Sequence, residues 1–186
     1  MTTTNHIHLR DFKPEDASRV NSVVLAAWQE FESSIPAWAE LSARLGALVA
    51  HAHESEVIVA ELDDQLLGAV AYVAARQPKA AFFPENWPIV RLLSVHPDAR
   101  GHGLGRALLQ ACIARAQRDG ASIMALHTTP VMASALRLYA QEGFTHHQDL
   151  PAMFGVPYVM LTKALKAPCT KSGTSISEDY PAPGCP

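Results

Sequence analysis

Cysteine is scarce in this chain of 186 residues, with only Cys112, Cys169 and Cys185. The number is odd and no two lie close together, which argues against a disulfide framework and against a zinc site. Long apolar runs are also missing, and none approaches the ~20 residues of a membrane span. The opening "MTTTNHIHLR" lacks the basic start and apolar stretch of a secretory leader. Charge of one sign is not in excess, the net value being −3, so neither nucleic acid nor an anionic membrane meets broad attraction. The expectation is a cytoplasmic protein without membrane or nucleic-acid partners. Histidine pairs occur at His6/His8, His51/His53 and His146/His147. None has a matching carboxylate or cysteine pattern, so no metal is expected.

Hydrophobic residues make up 48% of the chain and charged residues 18%, the balance of one globular domain with a core. Its expected extent is 1–166. From 167 the sequence reads "APCTKSGTSISEDYPAPGCP", rich in Ser, Thr, Pro and Gly, and a flexible tail is expected over 167–186.

Ile7 to Arg10 reads as a strand. Val20, Val23, Val24, Ala27, Trp28 and Phe31 then repeat at three and four, giving a helix that Pro14, Glu15 and Asp16 suit at its start. Pro36 opens a second helical stretch with Trp38, Leu41, Leu45 and Leu48. "EVIVAEL", a turn at "DDQ" and "LLGAVAYVAA" form a hairpin signal. A proline-rich loop holding Phe82, Phe83 and Trp87 leads to the strand "IVRLLSV". A helix over Gly101 to Asp119 follows, ended by Gly120. Cys112 falls within its pattern as a small buried residue. "SIMALH" is a strand. "PVMASALRLYAQEGF" is a helix with Thr129 offered as cap. Short strands close the domain near Phe144 to His147 and Tyr158 to Thr162.

The most informative stretch is "ARGHGLGRALLQ", Ala99 to Gln110. Three glycines sit between Arg100 and Arg106 at a strand-to-helix junction. A helix start carries unpaired N–H groups and partial positive charge, and glycine lets an anion approach them. Tight strand–helix packing is the other use of such a turn. A P-loop fits poorly because Gly105 is followed by Arg106 and Ala107 rather than Lys-Ser/Thr. The spacing G-x-G-x-G also departs from the dinucleotide fingerprint G-x-G-x-x-G.

"LLSVHPDARGHGLGRALL" resembles the coenzyme A-binding motif of the GCN5-related N-acetyltransferase (GNAT) family, with Arg100, Gly103 and Gly105 at Gln/Arg-x-x-Gly-x-Gly/Ala. "ALRLYAQEGF" matches a second block of that family at the right spacing. The resemblance implies a single α/β domain. Its mixed, mostly antiparallel sheet has about six or seven strands flanked by about four helices, with two strands splayed at a coenzyme cleft. It implies acetyl-CoA as acyl donor, without metal. Backbone at Leu93, Ser94 and Val95 is expected to pair with the pantetheine arm, the Val95 N–H polarising the thioester. The loop Gly101, His102, Gly103, Leu104, Gly105 and Arg106 is expected to hold the pyrophosphate, with Arg100 beside it.

By the same resemblance Tyr139 is the acid that protonates the departing thiolate. His127 occupies the position, twelve residues earlier, where some members place a general base. A histidine that only packs there is the alternative, and Glu54, Glu56 and Glu85 are further candidates. Met132 stands where some members have a coenzyme-contacting Asn, which separates the chain from the ribosomal-protein N-terminal acetyltransferases. Phe82, Phe83 and Trp87 are either a packed loop or a wall of the acceptor pocket.

The expected activity is acetyl transfer to a primary amine, preferably of a small molecule. The alternatives are a protein N-terminal or lysine acetyltransferase and a non-catalytic coenzyme A-binding module. A homodimer is left open.

Overall fold

The structure, a computed structural model, describes residues 6–45 and 54–165. The expected tail, with Cys169 and Cys185, lies outside the described residues, as do Leu48, His51 and His53. Seven strands form one sheet in the order β1-β2-β3-β4-β5-β7-β6. They are β1 (Ile7–Asp11), β2 (Glu56–Leu62), β3 (Gln65–Val73), β4 (Ile89–Val95), β5 (Ile123–Thr128), β6 (Thr145–Met153) and β7 (Val156–Ala164). Four α-helices flank it: α1 (Ala17–Gln29), α2 (Trp38–Leu45), α3 (Leu104–Arg118) and α4 (Ala133–Gln141). Among the described residues no helix is long and apolar enough to cross a membrane.

The sheet buries both faces, so the molecule has two apolar layers. Val20, Val23 and Val24 of α1 and Leu41 and Leu45 of α2 pack on one face, against Val57, Val59, Ala71, Val73 and Ile89. Leu104, Leu108, Leu109 and Cys112 of α3 and Tyr139 of α4 pack on the other, against Ile58, Val70, Val90 and Leu126. The central strands are therefore continuous apolar runs rather than alternating ones. Cys112 is fully buried and its thiol is pushed up to about 12, chiefly by burial, which makes it inert packing.

Local chemistry sets the connections. β2 and β3 are joined by Asp63 and Asp64, both at positive φ, the two-residue turn whose twist suits a hairpin. The buried Asp16 carboxylate accepts two bonds from Arg10, at 2.7 and 2.9 Å, and one from the Lys13 N–H at 2.8 Å. Arg10, above all, holds that carboxyl down to about 2, so β1 is pinned to the start of α1.

Boundaries differ from the sequence reading at several elements: α3 begins at Leu104 rather than Gly101, β7 is longer at both ends, and two other differences have local causes. β6 runs to Met153 through a polar, exposed stretch that contains Pro151. It is an edge strand, where alternation is weak and a missing N–H is tolerated. α4 starts at Ala133 with Met132 at its N-cap. Thr129 does not cap it. Its hydroxyl accepts from the Val131 N–H at 3.4 Å, and its carbonyl from the Met132 N–H at 3.0 Å, in the turn ahead of the helix.

Candidate active site

Among the described residues the strands β4 and β5 are the only parallel neighbours in the sheet, and their ladder holds a single pair, Ile89↔Ala125. Beyond it they part. β4 is also bent by a bulge: Ala69 faces Ser94 and Ala71 faces Arg91, so Leu92 and Leu93 together oppose Val70. Leu92 has φ +52, a strained value for a branched side chain. The Ser94 hydroxyl, fully inside, donates to the Leu92 carbonyl at 3.1 Å and accepts from the Trp28 Nε1–H at 3.2 Å. Trp28 thus ties α1 to the bulge. The His96 N–H donates to the Leu67 carbonyl on β3. Strand alternation therefore turns the Val95 N–H away from β3, toward the opening.

A cleft of about 780 Å³ fills the gap. Leu93, Ser94, Val95, Arg100, Gly101, Gly103, Leu104, Gly105, Arg106, His127 and Tyr139 all line it. His102 of the same loop does not; its Nδ1 lies 3.1 Å from the Arg100 carbonyl. Gly101 and Gly103 have φ of +82 and +90, and Gly103 is the N-cap of α3. At these two positions glycine is demanded by backbone geometry. A Cβ at Gly101 would point into open space, whereas one at Gly105 would touch Leu138 at 3.4 Å. The first intrahelical bond runs from the Ala107 N–H to the Gly103 carbonyl. The N–H groups from Gly101 to Arg106 have no backbone acceptor among the described residues. The loop thus offers a row of free donors at a helix start, with room in front of it, and suits a phosphate.

The two arginines point elsewhere. Arg100 donates to the Ala27 carbonyl at 3.0 Å and pairs with Glu30 at 2.8 Å, at the end of α1. Arg106 pairs with Glu142 at 2.9 Å and donates to Gln141 at 2.7 Å, beside the end of α4. Their backbone belongs to the loop, while their guanidinium groups hold helices.

Tyr139 is buried on α4, its ring 6.0 Å from that of Phe144. Burial pushes its phenol well above the usual range, so it is protonated at any working pH. His127 projects from β5 into a cage of Phe82, Phe83 and Tyr158, with ring centroids 5.7, 5.7 and 5.6 Å away. Its Nδ1 is buried without a hydrogen-bond partner. Burial first, then the charge of Arg91, lower its pKa to about 4. The imidazole is therefore neutral near pH 7, with a lone pair to offer.

The other candidate bases stand apart. Glu56 pairs with Arg115 at 2.6 Å and Arg118 at 3.3 Å, and neither Glu54 nor Glu85 lines the cleft. Met132 does line it, its sulfur 3.9 Å from the Thr128 hydroxyl. Of the aromatic loop, Phe82 and Phe83 wall His127, while Trp87 packs edge-on to His147 at 5.3 Å. That loop is gathered by Lys79, whose ammonium donates to the carbonyls of Ala74, Glu85 and Trp87. Sequence reasoning missed Trp28, Arg91, Phe154 and Tyr158. Each lies within an apolar or alternating pattern that reads as core, and only Arg91, a charge inside the run "IVRLLSV", carries a visible signal.

A mixed sheet that opens between its parallel strands, beside free amide donors at a helix start, defines an α/β protein with a cleft between two parting strands. A profile described as the acetyltransferase (GNAT) family matches residues 19–144, and the chain belongs to that family. A mycothiol acetyltransferase of Geodermatophilus obscurus is 36% identical over 84 residues, covering 45% of this chain and 27% of that protein. One of Cellulomonas flavigena is 29% identical over 141 residues, covering 70% and 40%. The chain thus spans 27% to 40% of the length of these curated relatives. A putative acetyltransferase from Salmonella typhimurium, solved with its cofactor acetyl-CoA, shares the fold at TM-score 0.65 and 20% identity, covering 90% of this chain and 99% of that one.

Proposed function

We propose that the chain is an N-acetyltransferase that moves an acetyl group from acetyl-CoA to a primary amine of a small molecule. The observation that carries this reading is the convergence of His127 and Tyr139 on the one cleft that also holds the free N–H groups of Gly101 to Arg106. Acetyl-CoA supplies the acetyl thioester. The loop amides seat its pyrophosphate, and Gly101 leaves the space it needs. The open edge of β4 pairs with the pantetheine arm and polarises the thioester carbonyl, the Val95 N–H being turned toward it.

His127 orients the neutral amine and takes its proton. With a pKa near 4 it is a weak base, so it accepts the proton only as the new C–N bond makes the nitrogen acidic. Tyr139, kept protonated by burial, donates its proton to the departing coenzyme A thiolate as the C–S bond breaks, and the phenolate regains a proton from solvent. The small-molecule acceptor draws support from the name mycothiol acetyltransferase borne by both curated relatives.

The test is thiol release from acetyl-CoA by the purified chain over amines, amino acids, polyamines and peptides, beside calorimetric acetyl-CoA binding. Amine-dependent release is expected. Binding without release for every acceptor class supports a non-catalytic module instead, and failure to bind acetyl-CoA overturns the reading.

A further inference from the structure

The register of the two parting strands places a second pair of side chains face to face. β4 and β5 run parallel and meet at Ile89↔Ala125. Two residues further along each strand, on the same face, stand Arg91 and His127. The strands have separated there, so both side chains border the cleft instead of packing on each other. The face is that of α1 and α2, opposite the layer of α3 and α4 from which the glycine loop opens.

The charges around this cleft are lopsided. Five arginines line it, at 44, 91, 100, 106 and 137, against one carboxylate, Glu30, among the described lining residues. Glu30 is held by Arg100, Arg44 pairs with Glu40 at 2.6 Å, and Arg106 pairs with Glu142. Arg137 is exposed on α4, on the coenzyme side. Arg91 is partly buried and makes no hydrogen bond or ion pair among the described residues. A guanidinium that borders the cleft with no protein partner has its planar fork free to meet an anionic ligand group. Trp28, Phe31, Phe82, Phe154 and Tyr158 supply the rest of the wall on this side.

We propose that Arg91 binds the carboxylate of the acceptor, and that the acceptor is a free α-amino acid with an apolar or aromatic side chain. Its amine turns to His127, its carboxylate takes the planar fork of Arg91, and its side chain rests on the aromatic wall. This placement rests on the acetyl-transfer reading of the cleft. It excludes polyamines, which a net-positive wall repels, and peptide N-termini, whose α-carboxyl is an amide. A carboxylate on Arg91 also neutralises the charge that weakens His127, so the arriving acceptor strengthens its own base.

The test is calorimetric titration of the coenzyme A-saturated chain with L-phenylalanine, L-methionine and L-leucine, each beside its amide, and with spermidine. Each acid is expected to bind about thirtyfold tighter than its amide. Arg91→Ala should abolish that preference, with coenzyme A affinity kept as the check on folding, and Arg91→Lys should restore part of it. Equal binding of acid and amide overturns the proposal. So does a preference that survives Arg91→Ala, tighter binding of spermidine, or failure of all three acids to bind. Turnover separates this proposal from the reading beneath it. Arg91-dependent binding of an acid that is never acetylated refutes transfer and leaves the carboxylate site. Acetylation of other amines, indifferent to Arg91→Ala, refutes the site and leaves transfer. If both hold, Arg91→Ala raises KM for the acid and leaves kcat nearly unchanged.

Discussion

The two sides of the cleft are made of different materials. On the side of α3 and α4 the contacts come from backbone: the edge of β4 and the amides from Gly101 to Arg106, all within one short stretch of chain. On the side of α1 and α2 they come from side chains scattered over α1, the loop before β4, β4 itself, β5 and β7. Backbone recognises what every such coenzyme has, amides and phosphates, and it tolerates most substitutions outside the glycines. Side chains recognise what one acceptor has, and each can change alone. Under the proposed function, coenzyme recognition and acceptor recognition are thus separated by the thickness of a sheet.

The largest effect that would sharpen this contrast is at Gly103. A side chain there is strained at φ +90 whatever the space around it. Gly103→Val should raise the Kd for acetyl-CoA about a hundredfold or more, by disordering the donors that seat the phosphates. Retained affinity would break the assignment of the loop. Next comes Tyr139→Phe, which removes one oxygen and little packing. It should lower kcat at least about tenfold and leave the acetyl-CoA Kd within about twofold. Unchanged turnover in steady-state assays would take Tyr139 out of the reaction.

His127 tests the other side through pH. Its pKa is about 4 in the folded chain and about 6.5 once unfolded. Between those values the unfolded state binds the extra proton. The histidine's presence therefore costs nothing above pH 6.5, and stability falls progressively as pH drops toward 4. His127→Phe, which suits the aromatic cage, should remove this component. The gap between urea midpoints at pH 7 and pH 5 should narrow, while turnover at pH 7 drops about tenfold. An unchanged gap would mean that the imidazole is not buried neutral. The smallest effect belongs to Arg100, whose charge suggests a phosphate ligand but whose guanidinium caps α1. Arg100→Ala should move the acetyl-CoA Kd by less than about threefold and cost about 0.5–1 kcal/mol of stability in denaturant titration. A large loss of affinity with stability intact would reverse that assignment.

The side proposed for the coenzyme was legible in the sequence as a structural unit because it is contiguous. A strand, three glycines and a helix carry it, and two of the glycines stand at positive φ as the turn requires. The order of elements followed from periodicity. Their extents did not at β6, where an exposed edge strand offers neither alternation nor buried bulk, and at the start of α4, where the turn of Thr129 delays the helix. The bulge at Leu92 left no trace, since nothing in "IVRLLSV" marks a residue at positive φ. The acceptor side was legible only in fragments. Trp28 reads as core by its spacing, and the one role that sets it apart is a bond from its indole N–H to Ser94, 66 residues away in sequence. The roof is similar: Phe154 and Gly155 turn at positive φ against Pro36, a contact between a hairpin tip and a helix connection that no local pattern announces.

The single rung between Ile89 and Ala125 bears on the life of the chain as well as on its chemistry. It joins a four-stranded half-sheet to a three-stranded one, and under the proposed function a pantetheine arm, with its two amides, would replace the rows missing beyond it. A ligand that completes a sheet binds the folded state and not the unfolded one, and at about 100 Kd it adds about 2.7 kcal/mol to stability. Under the proposed function, a chain holding acetyl-CoA would open this seam to proteases less often than an empty one.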